Sequence, residues 1–234
     1  MDTTSNDDLQ LLRLLQMSDS ALPIGSTAHS FGLETLVDDG SVTVAVLANY
    51  LRGMLAETGT LEAAYCMAAH GMAADAAEFP AAWVRLNQRL DALKSARESR
   101  AGSAALGRRF VQLARDLCEH PLLDAALSSA KQTGTGIHHC AAFGLTGAVI
   151  GVDARRSALA YLNQSVAGLV SACQRLMPLG QTAASQLLWA LKPAILEAVD
   201  EAEARGISGV SAFTALIDSA SLRHPTLSTR LFIS

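Results

Sequence analysis

The chain of 234 residues is rich in apolar side chains and poor in charge: 50% of its residues are hydrophobic, 17% are charged and 5% are aromatic. A chain of this size buries roughly 70–75% of the surface that it exposes when unfolded, so its stability requires neither disulfides nor a structural metal. Its 18 basic and 22 acidic residues give a net charge of −4. This charge disfavours nucleic acid as a partner, because binding to phosphates needs a basic face. The high apolar content also points to surface reserved for partner proteins.

The cysteines and the N-terminus predict the cellular setting. Four cysteines lie far apart without a CxxC pair, which indicates neither a disulfide framework nor a zinc site. Residues 1–8 are polar and acidic, without the basic and then apolar pattern of a secretory signal. We therefore expect a disordered start of the chain and a cytoplasmic protein. The longest apolar run, Cys140–Val152, has 13 residues; a membrane span needs about 20. It predicts a buried helix and no membrane insertion.

Helical spacing of apolar residues dominates the first half of the chain. A short helix over Leu9–Met17 precedes a polar break at Ser18–Ser26. Residues 41–46 alternate like a strand, but a lone strand would have no partner, so we expect a helix with Ser41 as its N-cap. The helices predicted in this half are Ser26–Val37, Val42–Glu57, Leu61–Ala76, Pro80–Leu90, Ala96–Glu119 and Leu122–Ala130.

The second half contains the clearest periodicity. Apolar residues recur every three or four positions over Ala154–Leu176, and Pro178 and Gly180 end this helix. A second stripe runs from Ala184 to Val199, where Pro193 should kink or split the helix. Two such stripes with a short link predict an antiparallel hairpin. Loops are expected at Lys131–Gly136 and Ala204–Gly209. The sequence thus predicts an all-α fold: one domain over residues 1–234, a bundle of about ten helices.

Motifs for catalysis and cofactor binding are incomplete. Gly134-Thr135-Gly136 precedes a helix, but no Gly-Lys-Ser/Thr follows it and no strand precedes it, as a phosphate-binding loop requires. Ser128-x-x-Lys131 lacks the companion motifs of the enzymes that use this pair. We therefore predict a protein that is not an enzyme and has no cofactor.

His138, His139 and Cys140 are the weak candidates for a metal site. Neighbouring residues on a helix point about 100° apart, so a contiguous triplet cannot converge on one ion. We expect one histidine to face the core and the other to face solvent. A site shared between two copies of the chain remains the alternative.

Two further segments combine polar and apolar residues as functional segments do. Near the N-terminus, His29 and Glu34 follow a Pro23-Ile24-Gly25 turn, where a loop on a helical scaffold could carry function or a buried histidine could simply hold the fold. At the other end, residues 222–234 are too apolar for a frayed terminus. This tail should dock either onto its own domain or onto another protein.

Four stretches, taken in order, resemble the UreF family of urease accessory proteins. Residues 11–34, LLRLLQMSDSALPIGSTAHSFGLE, resemble the family's opening signature. SAALGRRF from Ser103, the region from AFGL at Ala142 to RLMPLGQT at Arg175, and RLFIS from Arg230 also match. The resemblance therefore covers essentially the whole chain.

This resemblance implies an all-α homodimer without chemistry of its own. It would join UreD (also called UreH) and the nickel-carrying GTPase UreG on apo-urease, and help couple GTP hydrolysis to nickel insertion. The tail would dock onto UreD. The tail departs from the family pattern at Pro225, where an acidic residue is usual, and at Ile233, where a basic one is frequent, so contacts by those charges are not expected.

The predicted site residues form two sets. The tail set is Arg223, His224, Arg230, Leu231, Phe232 and Ser234. The N-terminal set is Pro23, Gly25, His29, Ser30, Gly32 and Glu34. Two alternatives stay open: a nickel-binding chaperone with a His138/His139/Cys140 site at a dimer interface, and an all-helical enzyme with an apolar pocket.

Overall fold

The computed structural model describes residues 3–211 and 214–234, and this part of the chain contains twelve α-helices and no β-strand. The all-α prediction is confirmed. The helices are α1 (Thr3–Met17), α2 (Leu33–Asp38), α3 (Leu47–Met54), α4 (Thr60–Gly71), α5 (Phe79–Leu93), α6 (Arg97–Leu117), α7 (Pro121–Thr133), α8 (His139–Val149), α9 (Ala154–Leu176), α10 (Gln181–Ala190), α11 (Lys192–Gly209) and α12 (Ala215–Arg223).

Helices α4 and α8 form the centre of one hydrophobic core. Helix α4 packs against α8, α9 and α11, and α8 also contacts α6. Every side chain from His139 to Gly147 is buried, as expected for an apolar run that is hydrophobic on all faces. Cys66, Cys140 and Cys173 are buried in this core, while Cys118 is half-buried.

Glycine permits the closest helix contact in the core. At Gly144 of α8, an added Cβ would lie 1.9 Å from the carbonyl oxygen of Cys66 on α4. No side chain fits in that space, so the backbones of the two central helices touch directly. Gly144 is therefore required by the packing of α4 against α8.

Boundaries in the second half follow the proline and glycine signals. Helix α9 has the predicted bounds. After a break at Leu191, α11 begins at Lys192 with Pro193 in its first turn, so the helix is split as predicted. The predicted loop at Lys131–Gly136 starts too early, because α7 continues to Thr133 and ends at Gly134, whose φ is 67°. The predicted loop at Ala204–Gly209 is wrong: this stretch is helical apart from Gly206.

The first half departs further from the predictions. Helix α1 starts at Thr3 instead of Leu9, so it includes residues 3–8, for which disorder is predicted. The predicted helix Ser26–Val37 is a short 3-10 turn at Ser26–Ala28 followed, after Gly32, by α2. Ser41 caps no helix, because α3 begins at Leu47. A π-helical turn at Leu55–Gly59 joins α3 to α4, where a break is predicted.

Candidate functional site

The N-terminal motif is a tight turn that brings the backbone against α12. Its residues Gly25 and Gly32 have φ values of 82° and 87°, which side chains rarely adopt. A Cβ on Gly32 would lie 2.6 Å from the Ser221 hydroxyl of α12. Pro23 is exposed in this turn, and the carbonyl oxygen of the next residue, Ile24, accepts a 3.1 Å hydrogen bond from Arg109.

The tail returns across this turn and pairs with it through the main chain. The N–H groups of Ser30 and Phe31 donate to the main-chain oxygen of Ser234 at 2.5 and 3.0 Å. The Ser30 hydroxyl donates to the same oxygen at 3.0 Å. The N–H of Ile233 donates to the Ala28 carbonyl at 2.8 Å. We call this contact between residues 28–34 and 224–234 the clasp.

Glu34 is the acceptor at the centre of the clasp. Its carboxylate is buried and receives the N–H groups of Leu231 at 2.6 Å and Phe232 at 3.2 Å. The Nε2 atom of His224 lies 2.8 Å from the same carboxylate. Glu34 thus fixes both the start and the end of the tail.

Helix α6 supplies a second carboxylate, from Glu98. Its oxygens lie 2.7 Å from Nδ1 of His224 and 3.1 Å from the guanidinium of Arg230. The cluster therefore contains two acidic and two basic side chains, of which His224 and Glu34 are buried while Arg230 is 40% and Glu98 24% exposed. Arg223 pairs with Asp39 at 2.8 Å outside the cluster, where its side chain is half exposed.

His29 closes the clasp on the side of Ser234. Its Nδ1 shares a 2.8 Å hydrogen bond with the Ser234 hydroxyl, and its ring stacks on Phe31. Burial, together with the nearby charge of Arg109, lowers the pKa of His29. The imidazole is therefore neutral at pH 7.

The tail has an inner and an outer face. Phe232 is only 4% exposed, and the Arg175 guanidinium lies 4.3 Å from the centre of its ring. Leu231 and Ile233, its neighbours, are 54% and 67% exposed, and Leu222 is 58% exposed. Of the alternatives left open by sequence, the tail docks onto its own domain, and its outer face remains apolar and open.

The structure thus joins most of the predicted site residues in the clasp. The clasp is formed by His29, Ser30, Glu34, His224, Arg230, Leu231, Phe232 and Ser234. Gly32 lies at its turn, and Pro23, Gly25 and Arg223 lie beside it. Sequence reasoning missed Glu98 and Arg175, which belong to helices far away along the chain and carry no local signal.

The prediction for His138 and His139 is wrong, because both histidines are buried. The side-chain oxygen of Asn87 accepts a 2.8 Å hydrogen bond from the main-chain N–H of His138. The two ring nitrogens of His138 lie 3.2 Å from the Ser103 hydroxyl and 3.1 Å from Asp91, and burial lowers its pKa to about 4. These contacts tie the start of α8 to α5 and α6.

Metal ligands do not converge here. Burial raises the pKa of the Cys140 thiol, which opposes formation of the thiolate that binds metals. Within residues 3–211 and 214–234, no three His, Cys, Asp or Glu side chains are grouped so that they could hold a metal ion.

A cavity of about 490 Å³ lies between the clasp and the start of α8. His29 lines it from the clasp, and His139 lines it from α8. The Nε2 atom of His139 has no hydrogen-bond partner among the described residues, and burial lowers the pKa of His139 to about 4. The two histidines that sequence analysis assigned to separate motifs therefore face one space.

An ion pair that sequence reasoning missed also lines this cavity. Lys94 Nζ lies 2.5 Å from Glu62, and the Tyr161 hydroxyl donates to Glu62 at 2.7 Å. Burial by itself raises the pKa of Glu62, but Lys94 and the Tyr161 hydroxyl outweigh it and lower the pKa overall. A general acid would need a raised pKa, so Glu62 does not support the enzyme alternative.

None of the helices that the structure describes is both long and apolar enough to cross a membrane.

Comparison with known proteins identifies similar chains along the whole length. A family model described as UreF matches residues 42–192. The protein named "Urease accessory protein UreF" of Nostoc sp. PCC 7120 is 35% identical, and the alignment covers 100% of both chains. Those of the same name in Geobacillus kaustophilus and Bradyrhizobium sp. BTAi1 are 34% and 32% identical, over 97% and 99% of this chain and 99% and 95% of their own. The alignment with the Nostoc protein extends over both segments of the clasp, which lie outside the family model's match.

Proposed function

The chain belongs to the UreF family of urease accessory proteins and so has a role in urease maturation, and we propose that it acts there as a scaffold. In this proposal it joins UreD (UreH) and the GTPase UreG on apo-urease and couples GTP hydrolysis to nickel insertion. It acts in the cytoplasm as a homodimer and catalyses no reaction itself. The tail contacts UreD, and the dimer presents another face to UreG.

The two-sided tail is the observation that carries this proposal. Its inner side chains are fixed by the clasp, while Leu231 and Ile233 point away from the domain with more than half of their surface exposed. A segment that is already ordered loses little conformational freedom when it binds, so its apolar face is preorganised for a partner. Phe232 is committed to its own domain and is not part of this face.

Deleting the tail would test the proposal poorly. A chain that ends at Leu222 lacks His224 and Arg230 and leaves the carboxylates of Glu34 and Glu98 without these partners. Removal of one side of a buried ion pair is strongly destabilising. Lost binding would then report a damaged fold as much as a lost contact.

A Leu231→Ser/Ile233→Ser double variant tests the outer face alone. Each substitution removes about 1 kcal/mol of the free energy that the side chain would gain by burial in the complex. Binding to UreD should therefore weaken about tenfold or more. The measurement is the dissociation constant with purified UreD, alongside binding to UreG, which should not change. Undiminished affinity for UreD would rule out this role of the tail.

Leu117→Ser is the matched control. Leu117 is 53% exposed and lies at the end of α6 opposite Glu98, about 28 Å along the helix axis. This variant should likewise reduce nonspecific apolar contacts and leave the dissociation constant with UreD unchanged. Equal losses in both variants would assign the effect to nonspecific apolar contacts.

A further inference from the structure

The cavity of about 490 Å³ between the clasp and α8 has the size and the lining of a small-molecule site. Sites for small ligands are concave spaces of about 300–1,000 Å³ with mostly apolar walls and a few convergent polar groups. Helices α4, α5 and α6 contribute apolar wall here through Leu61, Leu93 and Leu106. The proposed scaffold role makes no use of this space.

Exposed residues line the cavity where it meets the surface. Ser20, Ala21 and Thr27 lie in the segment between α1 and the clasp and are exposed, whereas Leu61 and Leu106 are buried. The space therefore extends from the surface into the core, and a ligand has a path of entry.

Three side chains that line the cavity carry a buried polar atom without a hydrogen-bond partner among the described residues. These atoms are the Thr58 hydroxyl oxygen on the π-helical turn, Nε2 of His139 on α8 and the side-chain oxygen of Gln164 on α9. His139 and Gln164 are only 7% and 6% exposed. Buried polar groups nearly always have a partner, because an unpaired one has lost its hydrogen bonds to water. Three such groups from three elements around one space indicate that their partner binds in that space.

The same three groups define what the partner must offer. The Gln164 oxygen can only accept, so the ligand needs an N–H or O–H donor. The Thr58 hydroxyl both donates and accepts, and a neutral imidazole nitrogen does one or the other according to its tautomer. A hydroxyl or a primary amide combines donor and acceptor and can serve all three kinds of group.

The charges around the cavity disfavour a charged ligand. Lys94 is paired with Glu62 in the wall, and burial lowers the pKa of both His29 and His139, so their rings are neutral at pH 7. Asp218, on α12, is half-buried and already accepts a side-chain hydroxyl. A charged ligand would lose its hydration without meeting an unpaired buried counter-ion, whereas an uncharged one avoids this cost.

We propose that the cavity is a binding site for a small uncharged organic molecule in which a hydroxyl or a primary amide is attached to an apolar body. The polar group binds among Thr58, His139 and Gln164, and the apolar body packs against the leucines of α4, α5 and α6. The site lies within one chain, so this inference goes beyond the proposed scaffold and does not depend on UreD, UreG or urease.

NMR titration of the isolated full-length protein with four benzene derivatives tests the chemical class. Benzamide and benzyl alcohol are the uncharged probes, while benzoate and benzylammonium carry a negative and a positive charge on the same ring at pH 7. We expect the uncharged probes to bind with dissociation constants of about 1 mM and to shift the Nε2 signal of His139. The charged probes should bind at least about tenfold more weakly.

Two outcomes of this titration would overturn the proposal. If neither uncharged probe binds at about ten times the expected dissociation constant, water is the occupant of the cavity. If benzoate or benzylammonium binds as tightly as benzamide, the site does not select an uncharged ligand.

A matched pair of threonine variants locates the bound probe. Thr58→Val removes an unpartnered hydroxyl that lines the cavity, and the control Thr146→Val removes one that is buried in α8 and does not line it. Both exchanges preserve the approximate shape of the side chain and leave no protein group without a partner, so both variants should fold. We expect the dissociation constant of benzamide to rise about fivefold or more in Thr58→Val and in Gln164→Met, and to stay unchanged in Thr146→Val.

Unchanged affinity in both cavity variants would place the probe elsewhere and contradict the site, and so would an equal loss in Thr146→Val. Neither result would affect the scaffold proposal, because that proposal is tested separately by the affinity for UreD.

Discussion

Two glycines in the neighbouring helices α8 and α9 differ in the space around them: one is tightly enclosed and the other is not. An added Cβ at Gly144 meets the backbone of Cys66 at 1.9 Å, whereas one at Gly168 finds no atom within 4 Å. We expect Gly144→Ala to lower the free energy of unfolding by about 3 kcal/mol, because backbone cannot move aside as a flexible side chain can. Gly168→Ala should raise it by up to about 1 kcal/mol through helix propensity. Urea denaturation measures both, and similar values for the two variants would refute the close packing of α4 and α8.

The sequence indicates single residues of the clasp but not which residues they contact. Glu34 and His224 were both candidates, yet 190 positions separate them, and no local pattern indicates that they touch. Glu98 is the residue that completes the pair, and it looks like an ordinary acid in the first turn of α6. Contacts of this range depend on the folded topology, which a pattern in one sequence does not encode.

At the scale of elements, the Glu62–Lys94 pair ties α4 to the end of α5, and Tyr161 adds α9. We expect Lys94→Met to cost roughly 3 kcal/mol, at the low end for breaking a buried ion pair, because the adjoining cavity leaves both side chains about 15% exposed. Lys131→Met, on the exposed face of α7, should change stability by less than about 0.5 kcal/mol.

Lowering the pH should reduce the difference in free energy of unfolding between the wild type and Lys94→Met. The pKa of Glu62 is lowered in the folded wild type, so the stabilisation by the pair is complete above about pH 4.5 and is lost as pH falls through the lowered pKa. Without Lys94, burial dominates and raises the pKa of Glu62, so the variant gains stability on protonation. Urea denaturation of both proteins between about pH 7 and about pH 4 measures this difference in free energy of unfolding. A difference that does not change with pH would contradict this account.

Elements were predictable where proline and glycine mark their ends. Helix α9 has strong periodicity and a Pro178–Gly180 stop, and its predicted bounds are correct. Between α3 and α4, a π-helical turn continues the helix through residues that read as a break. Helix α12 has no clear signal in the sequence, since its weakly amphipathic segment gains its order from packing on α2 and α6. Tertiary contacts decided the elements that local signals did not.

Helix α10 is one of the helices that the rest of the described chain covers least. Ala184 is its only buried residue, while Trp189 is 80% exposed and Leu196, on the adjoining α11, is 45% exposed. A helix of this length is marginal without tertiary packing. This open surface supports the proposed homodimer, in which a second copy covers α10 and contributes the area that stable interfaces need, about 1,200–2,000 Å² in total.

A Trp189→Ser/Leu196→Ser variant tests this placement of the dimer face. Loss of a large aromatic anchor at the centre of an interface costs about 2 kcal/mol or more. The dissociation constant of the dimer should therefore rise at least about thirtyfold. Light scattering across a dilution series gives the mass at each concentration, and the variant should reach the mass of one chain where the wild type retains that of two. Leu12→Ser on α1, where Leu12 is 64% exposed, is the matched control and should leave the dimer intact. If the control dissociates and the α10–α11 variant does not, the second copy binds α1 instead, because an interface loses affinity only where its own apolar contacts are removed.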